Sequence, residues 1–218
     1  MRLVVFDLDG TLINSEALII ETVRESFASI GQAIPTDDAI RSISGITARD
    51  AMGILAPGSA EDRIDVILNA YRSTYQQKAG LAREPMFEGA LDALDRLQAD
   101  PETILAVATG KGLTGVARIL DNHRITAHFT TLQTPDHNPS KPHPGMLLSA
   151  MEETGAAPHQ TVMVGDTVFD MELARAAKVR SIGVSWGYHD AAELLKAGAG
   201  TLIHDYSELD AAIERVLE

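Results

Sequence analysis

The chain has 218 residues, 45% hydrophobic and 22% charged, enough for a real core in one large domain or in a core with a smaller partner. Its net charge of −13 argues against nucleic acid as the main partner, although a bound cation, a lysine and backbone N–H groups can still accommodate a small anion. No stretch approaches the roughly 20 apolar residues of a membrane span, the N-terminus leaves no room for a signal peptide, and there are no cysteines for disulfides or thiolate metal sites, so the expectation is a cytoplasmic protein, monomer or homodimer.

Leu3, Val4, Val5 and Phe6 form an apolar, β-branched and aromatic run that suits a strand buried on both faces of a parallel sheet. The chemistry then reverses at Asp7, Leu8, Asp9, Gly10 and Thr11. Carboxylates two residues apart on extended chain point the same way, and Gly10 permits a sharp turn. Two acids at the end of a buried strand are costly unless something positive binds there. A hard divalent cation, Mg²⁺ above all, answers that need. This end of the strands is also where open α/β sheets hold ligands. The competing reading is a plain strand with an Asp-Gly turn. An EF-hand fails on register, because Gly10 directly follows the second acid.

Residues Ser15 to about Arg83 read as helices. Leu18, Ile19, Val23, Phe27 and Ile30 recur at helical spacing before a stop at Gly31. A short helix follows Pro35-Thr36-Asp37, Thr47 suits an N-cap for the next, and Ser59 with Asp62 starts a long helix carrying Ile64, Ile67, Leu68, Tyr71 and Tyr75. From Pro85 the pattern alternates: helix Glu88 to Leu97, strand Thr103 to Ala108, helix Leu113 to Leu120 and strand His128 to Leu132. It continues with helix Gly145 to Thr154, strand Thr161 to Val164, helix Val168 to Ala177, strand Arg180 to Val184, helix Ala191 to Ala197, strand Thr201 to Ile203 and helix Ser207 to Leu217. Such alternation predicts an α/β, Rossmann-like, doubly wound parallel sheet, residues 1–14 and 85–218, with an inserted all-helical cap domain, residues 15–84.

Three more polar groups fall at or near strand ends. Thr109, with the N–H groups of Gly110 and Lys111 ahead of a helix, can hold phosphate oxygens; an ordinary N-cap would use the same residues. Lys141 lies in Ser140-Lys141-Pro142-His143-Pro144, where the prolines restrict the backbone, so it is either a fixed counter-charge or a solvated lysine. Asp166 and Asp170, in Gly165-Asp166-Thr167-Val168-Phe169-Asp170, are four apart at a helix start and would face one side; helix capping explains one acid there better than two.

Asp7-Leu8-Asp9-Gly10-Thr11 after a strand, Thr109 ending another, Lys141-Pro142-His143-Pro144, and Gly165-Asp166 with Asp170 together resemble the four motifs of the haloacid-dehalogenase-like (HAD) superfamily, in family order. The chain is similar in particular to the phosphoglycolate phosphatase and β-phosphoglucomutase branch with a helical cap. The resemblance implies a phosphatase acting on a small phosphorylated metabolite, phosphoglycolate or a sugar phosphate, through an aspartyl-phosphate. It implies Asp7 as nucleophile and Asp9 as general acid and base. Mg²⁺ would be bound by Asp7, the Asp9 backbone carbonyl and Asp166, with Asp170 acting through water or Lys141. Thr109, Gly110 and Lys141 would hold the phosphate. Asp9 separates this branch from dehalogenases, which lack an acid there. A β-phosphoglucomutase-like phosphomutase is the alternative within the family; a phosphoacceptor receiver domain or a binding protein without turnover are the alternatives outside it. In the cap, Ser44-Gly45-Ile46-Thr47-Ala48-Arg49-Asp50 resembles a substrate-reaching turn, with Arg49 one residue further from the glycine than in that pattern. Arg49 then either grips the remote end of the substrate or is solvated or paired with an acid such as Asp50.

Overall fold

A computed structural model describes residues 1–80 and 83–218. These residues form a parallel six-stranded sheet: β1 (Arg2–Phe6), β2 (Thr103–Ala108), β3 (Thr131–Gln133), β4 (Thr161–Gly165), β5 (Arg180–Val184) and β6 (Thr201–Ile203), in the order β3-β2-β1-β4-β5-β6. The central β1 pairs through Val4 with Leu105 on one side and Val162 on the other. The sheet therefore grows in opposite directions from β1. Crossovers leave the two flanks on opposite faces, and the strand ends beside β1 form the crevice where such sheets bind ligands.

Alternate side chains of β1 serve different cores. Val4 and Phe6 pack with α5 (Ala90–Ala99), α6 (Leu113–His123) and α10 (Leu209–Leu217), through Leu94, Ile119 and Ile213 among others. Leu3 and Val5 pack with α7 (Gly145–Thr154) and α8 (Val168–Ala176), through Met146, Leu147 and Leu173. Helix α9 (Ala191–Ala197) contacts β5, β6 and α8. Covering both faces explains why the strands read as continuous apolar runs rather than alternating ones.

Between β1 and α5 lie α1 (Glu16–Ser29), α2 (Asp37–Ser42), α3 (Ala48–Leu55) and α4 (Glu61–Lys78). Their inward residues, including Val23, Phe27, Ile40, Met52 and Ile67, form a third cluster. Burying one such side chain contributes roughly 1.5–3 kcal/mol. The chain enters and leaves this block through two adjacent segments: Asn14 N donates to the Pro85 carbonyl at 2.8 Å, and Phe87 N donates to that of Leu12 at 3.0 Å. Leu81 and Ala82, inside the stretch expected to be helical, lie outside the described residues.

Several ends differ from the sequence reading. The strand expected over His128 to Leu132 runs from Thr131 to Gln133, after a 3₁₀ turn at Thr126–His128, because only Thr131 to Gln133 pair with β2. Helix α4 starts at Glu61 rather than Ser59, with Ala60 as its extended N-cap residue. Helix α5 starts after Gly89, whose φ of 78° is left-handed, not at Glu88. Helix α6 runs three residues past Leu120 to His123, and the last helix begins with a separate 3₁₀ turn, Tyr206–Glu208. Thr36 and Thr47 do cap α2 and α3, accepting from Ala39 N and Asp50 N.

Candidate active site

Strand β1 ends at Phe6, and Asp7 is the first residue beyond it, its N–H bonded to the Val164 carbonyl of β4 at 2.9 Å. Gly10 then turns the chain at φ 85°, against Asp166 and the Tyr188 ring; a Cβ there would stand 2.1 Å from Asp166 Oδ2. Asp7 and Asp9 therefore do not stay side by side as extended chain would have them. They face different partners.

Asp7, Asp166 and Asp170 are fully buried, and an oxygen from each lies within 4.8 Å of the others. The fold assembles them from the ends of β1 and β4 and the first turn of α8. Buried Lys141 joins them, its Nζ 3.0 Å from Asp7 Oδ1 and 2.6 Å from Asp170 Oδ1. Asp170 Oδ2 accepts from Thr167 N at 3.0 Å and Thr167 Oγ1 at 2.7 Å, so Asp170 holds the lysine rather than facing the crevice freely. Asp166 accepts from Thr11 Oγ1 at 2.8 Å and Tyr188 N at 2.9 Å. Among the described residues, neither oxygen of Asp7 accepts a well-directed hydrogen bond. Three carboxylates around one ammonium leave two negative charges, and uncompensated buried charge is expensive. The residues fit a divalent cation of hard character, Mg²⁺ foremost.

Burial pushes the Asp7 carboxyl up to about 7, against the pull of Lys141, with Asp170 and Asp9 adding to the rise. Burial likewise raises Asp166, helped by Asp7 and Asp170. Burial works against the Lys141 charge, but Asp170 and Asp7 outweigh it and carry that group to about 12. Without a cation the cluster takes up protons instead, so metal and protons compete. A carboxyl raised in the folded state binds a proton that the unfolded chain has already released, and folding stability falls as pH rises from its ordinary value of 3.8 toward 7. A cation that keeps Asp7 ionised removes this loss. Mg²⁺ at about a hundred times its Kd should raise Tm by roughly 5–10 °C at neutral pH. The increment over chelator should be clearly larger at about pH 7.5 than at about pH 5.5. Scanning calorimetry showing no increment, or one independent of pH, would remove the cluster as a cation site.

The Asp9 side chain is not part of this carboxylate cluster but is tied elsewhere. Its Oδ2 lies 3.1 Å from Lys111 Nζ, and its Oδ1 accepts from Ser15 Oγ at 2.6 Å. Lys111 Nζ also donates to Tyr75 OH at 2.7 Å and sits 4.6 Å from that ring's centroid. The Tyr75 hydroxyl donates to Glu84, which Arg118 grips with both terminal nitrogens, the shorter contact being 2.6 Å. Burial opposes ionisation of Glu84, but the Arg118 and Tyr75 hydrogen bonds win and hold it below its usual range. A second, partly buried lysine and a chain of contacts from α4 to α6 thus orient the acid that faces the crevice. Sequence reasoning used only the Lys111 backbone N–H; the side chain's position beside Thr109-Gly110 was the available signal.

Thr109 is buried at the end of β2, its Oγ1 accepting from Lys111 N at 3.3 Å. A Cβ on Gly110 would stand 2.4 Å from the Ile46 carbonyl, and one on Gly45 2.9 Å from Thr167 Oγ1. The Gly45-Ile46 turn therefore rests directly on the loops that carry Gly110 and Thr167, where only glycines fit. Thr47 N adds a 3.2 Å bond to Ser140 Oγ, one residue from Lys141. Arg49 borders the cavity beneath this turn, but Glu61, at 2.6 Å, and Asp65 on α4 hold its guanidinium. Its partner is not Asp50, which accepts from Thr47 Oγ1 at 2.6 Å. His143 Nδ1 accepts from Gly145 N at the start of α7.

Comparison with known proteins converges on one family. The family model described as haloacid dehalogenase-like hydrolase matches residues 4–184. The chain is 31% identical to the probable phosphatase IndB of Dickeya dadantii, over 99% of this chain and 95% of that protein. It is 29% identical to phosphoglycolate phosphatase of Agrobacterium fabrum, over 97% and 91%. The solved structure of a haloacid dehalogenase-like hydrolase from Streptococcus pneumoniae superposes with a TM-score of 0.85 at 26% identity, over 97% of this chain and 98% of that one.

Proposed function

The chain belongs to the haloacid dehalogenase-like hydrolase family, as a phosphatase of its phosphoglycolate phosphatase-like branch, and from that premise we propose that it is a Mg²⁺-dependent enzyme hydrolysing a small phosphomonoester, phosphoglycolate or a sugar phosphate, through an aspartyl-phosphate. The observation that carries the reading is the buried cluster at the sheet's switch point: Asp7 paired with Lys141, beside Asp166 and Asp170.

In this reading an Asp7 carboxylate oxygen attacks phosphorus as the ester oxygen leaves with its electron pair. Asp9, held by Lys111 and Ser15 at the edge of the crevice, gives that oxygen a proton. It then takes a proton from water, which attacks the same phosphorus and restores Asp7. Lys141, Thr109 Oγ1 and Gly110 N–H stabilise the equatorial oxygens, and positioning and charge supply most of the acceleration. Asp7, Asp166 and the Asp9 backbone carbonyl would hold Mg²⁺, with Asp170 acting through Lys141, and the ion would neutralise charge on the transferring group. The Gly45-Ile46 turn, seated on Gly110, keeps bulk water from the reacting centre.

The test is phosphate release from a panel of phosphomonoesters, with Mg²⁺ and with excess chelator. Metal-dependent release of inorganic phosphate is expected, rather than transfer of phosphate between positions of one sugar. Hydrolysis of none of them, or an undiminished rate in chelator, would overturn the reading.

A further inference from the structure

We propose that the substrate's leaving group carries an apolar, ring-sized body, an inference that rests on the phosphatase reading and departs from its phosphoglycolate and sugar-phosphate candidates. A cavity of about 680 Å³ opens from Asp7 and Asp9 between the catalytic loops and the helical block. That lies within the roughly 300–1,000 Å³ of sites that enclose drug-sized molecules. It is far more than a two-carbon acid fills. Ile19, Val23, Ile43, Ile46, Met52 and Tyr71 line the helical side. Tyr71 and Tyr75 border it as a tilted pair with centroids 5.9 Å apart. Such walls hydrate poorly and favour a body that displaces water by apolar contact.

The charges in the cavity point the same way. A leaving group ending in a carboxylate needs a free, desolvated cation. Lys111 is bound to Asp9, Arg118 to Glu84, and Arg49 to Glu61 and Asp65. Arg72 makes no ion pair among the described residues, but it is exposed at the rim, where water screens it.

The experiment compares kcat/KM for ethyl phosphate, phosphoglycolate, glucose 6-phosphate and 2-phenylethyl phosphate. All four release a primary alcohol, so the body rather than leaving-group reactivity sets the order. The 2-phenylethyl ester should exceed the other three by about 10-fold or more, mainly through KM. In Tyr71→Ser the ratio of the 2-phenylethyl to the ethyl ester should fall toward one. A preference for phosphoglycolate or glucose 6-phosphate would overturn the inference and leave the phosphatase reading standing. An unchanged ratio in Tyr71→Ser would also overturn it. Hydrolysis of none of the four would overturn both.

Discussion

Asp7→Asn should abolish turnover, a loss of roughly 10⁴-fold or more, without unfolding the protein. The amide matches the carboxylate in size but offers no nucleophilic oxygen. The substitution also removes one of three buried carboxylates beside a single ammonium. Tm measured in chelator should therefore hold or rise. The increment produced by Mg²⁺ should shrink, because a ligand of the ion has gone. Retained turnover would take the nucleophile's role from Asp7. A collapse in Tm would mean that the carboxylate is chiefly structural.

Asp9→Asn should divide the reaction in two. With alkyl esters both proton transfers suffer, and the rate should fall by roughly 10²–10⁴-fold. With an aryl ester such as 4-nitrophenyl phosphate the leaving group needs no acid. Phosphorylation of the enzyme should then proceed while hydrolysis of the aspartyl-phosphate stalls for want of a base. Rapid-mixing absorbance should show a burst stoichiometric with enzyme, followed by a slow phase. Raising Mg²⁺ should not rescue the variant, since the Asp9 side chain faces Lys111 and Ser15 rather than the carboxylate cluster. Rescue by Mg²⁺, or a uniform loss without a burst, would contradict the acid–base role.

Local chemistry made much of this architecture legible. Strands β5 and β6 and helices α7 and α9 begin and end where the sequence reading placed them, because apolar runs and turn residues bound them closely. The edge strand β3 was misplaced, because three residues with one neighbouring strand leave little pattern to read. Asp7, Asp9, Asp166, Asp170 and Lys141 were each visible as polar groups at or near strand ends, where a parallel sheet must gather them. What was not visible is how charge is shared among them. The run from Asp9 through Lys111 and Tyr75 to Glu84 and Arg118 joins side chains from separate elements, and no spacing rule links those positions before the chain folds. Asp7 and Asp9 part company for a related reason. Gly10, fitted against Asp166 and Tyr188, turns the chain directly after them, and a tertiary fit of that kind leaves only a permissive glycine in the sequence.

The central claim is that phosphate passes through Asp7. Protein turning over an alkyl phosphomonoester in Mg²⁺ can be quenched and treated with borohydride, which reduces an acyl phosphate to the alcohol, and then digested for mass spectrometry. Homoserine at position 7, absent without substrate and enriched in Asp9→Asn turning over 4-nitrophenyl phosphate, is the expected result. Hydrolysis that proceeds with no modified residue, or with the label on another carboxylate, would contradict it.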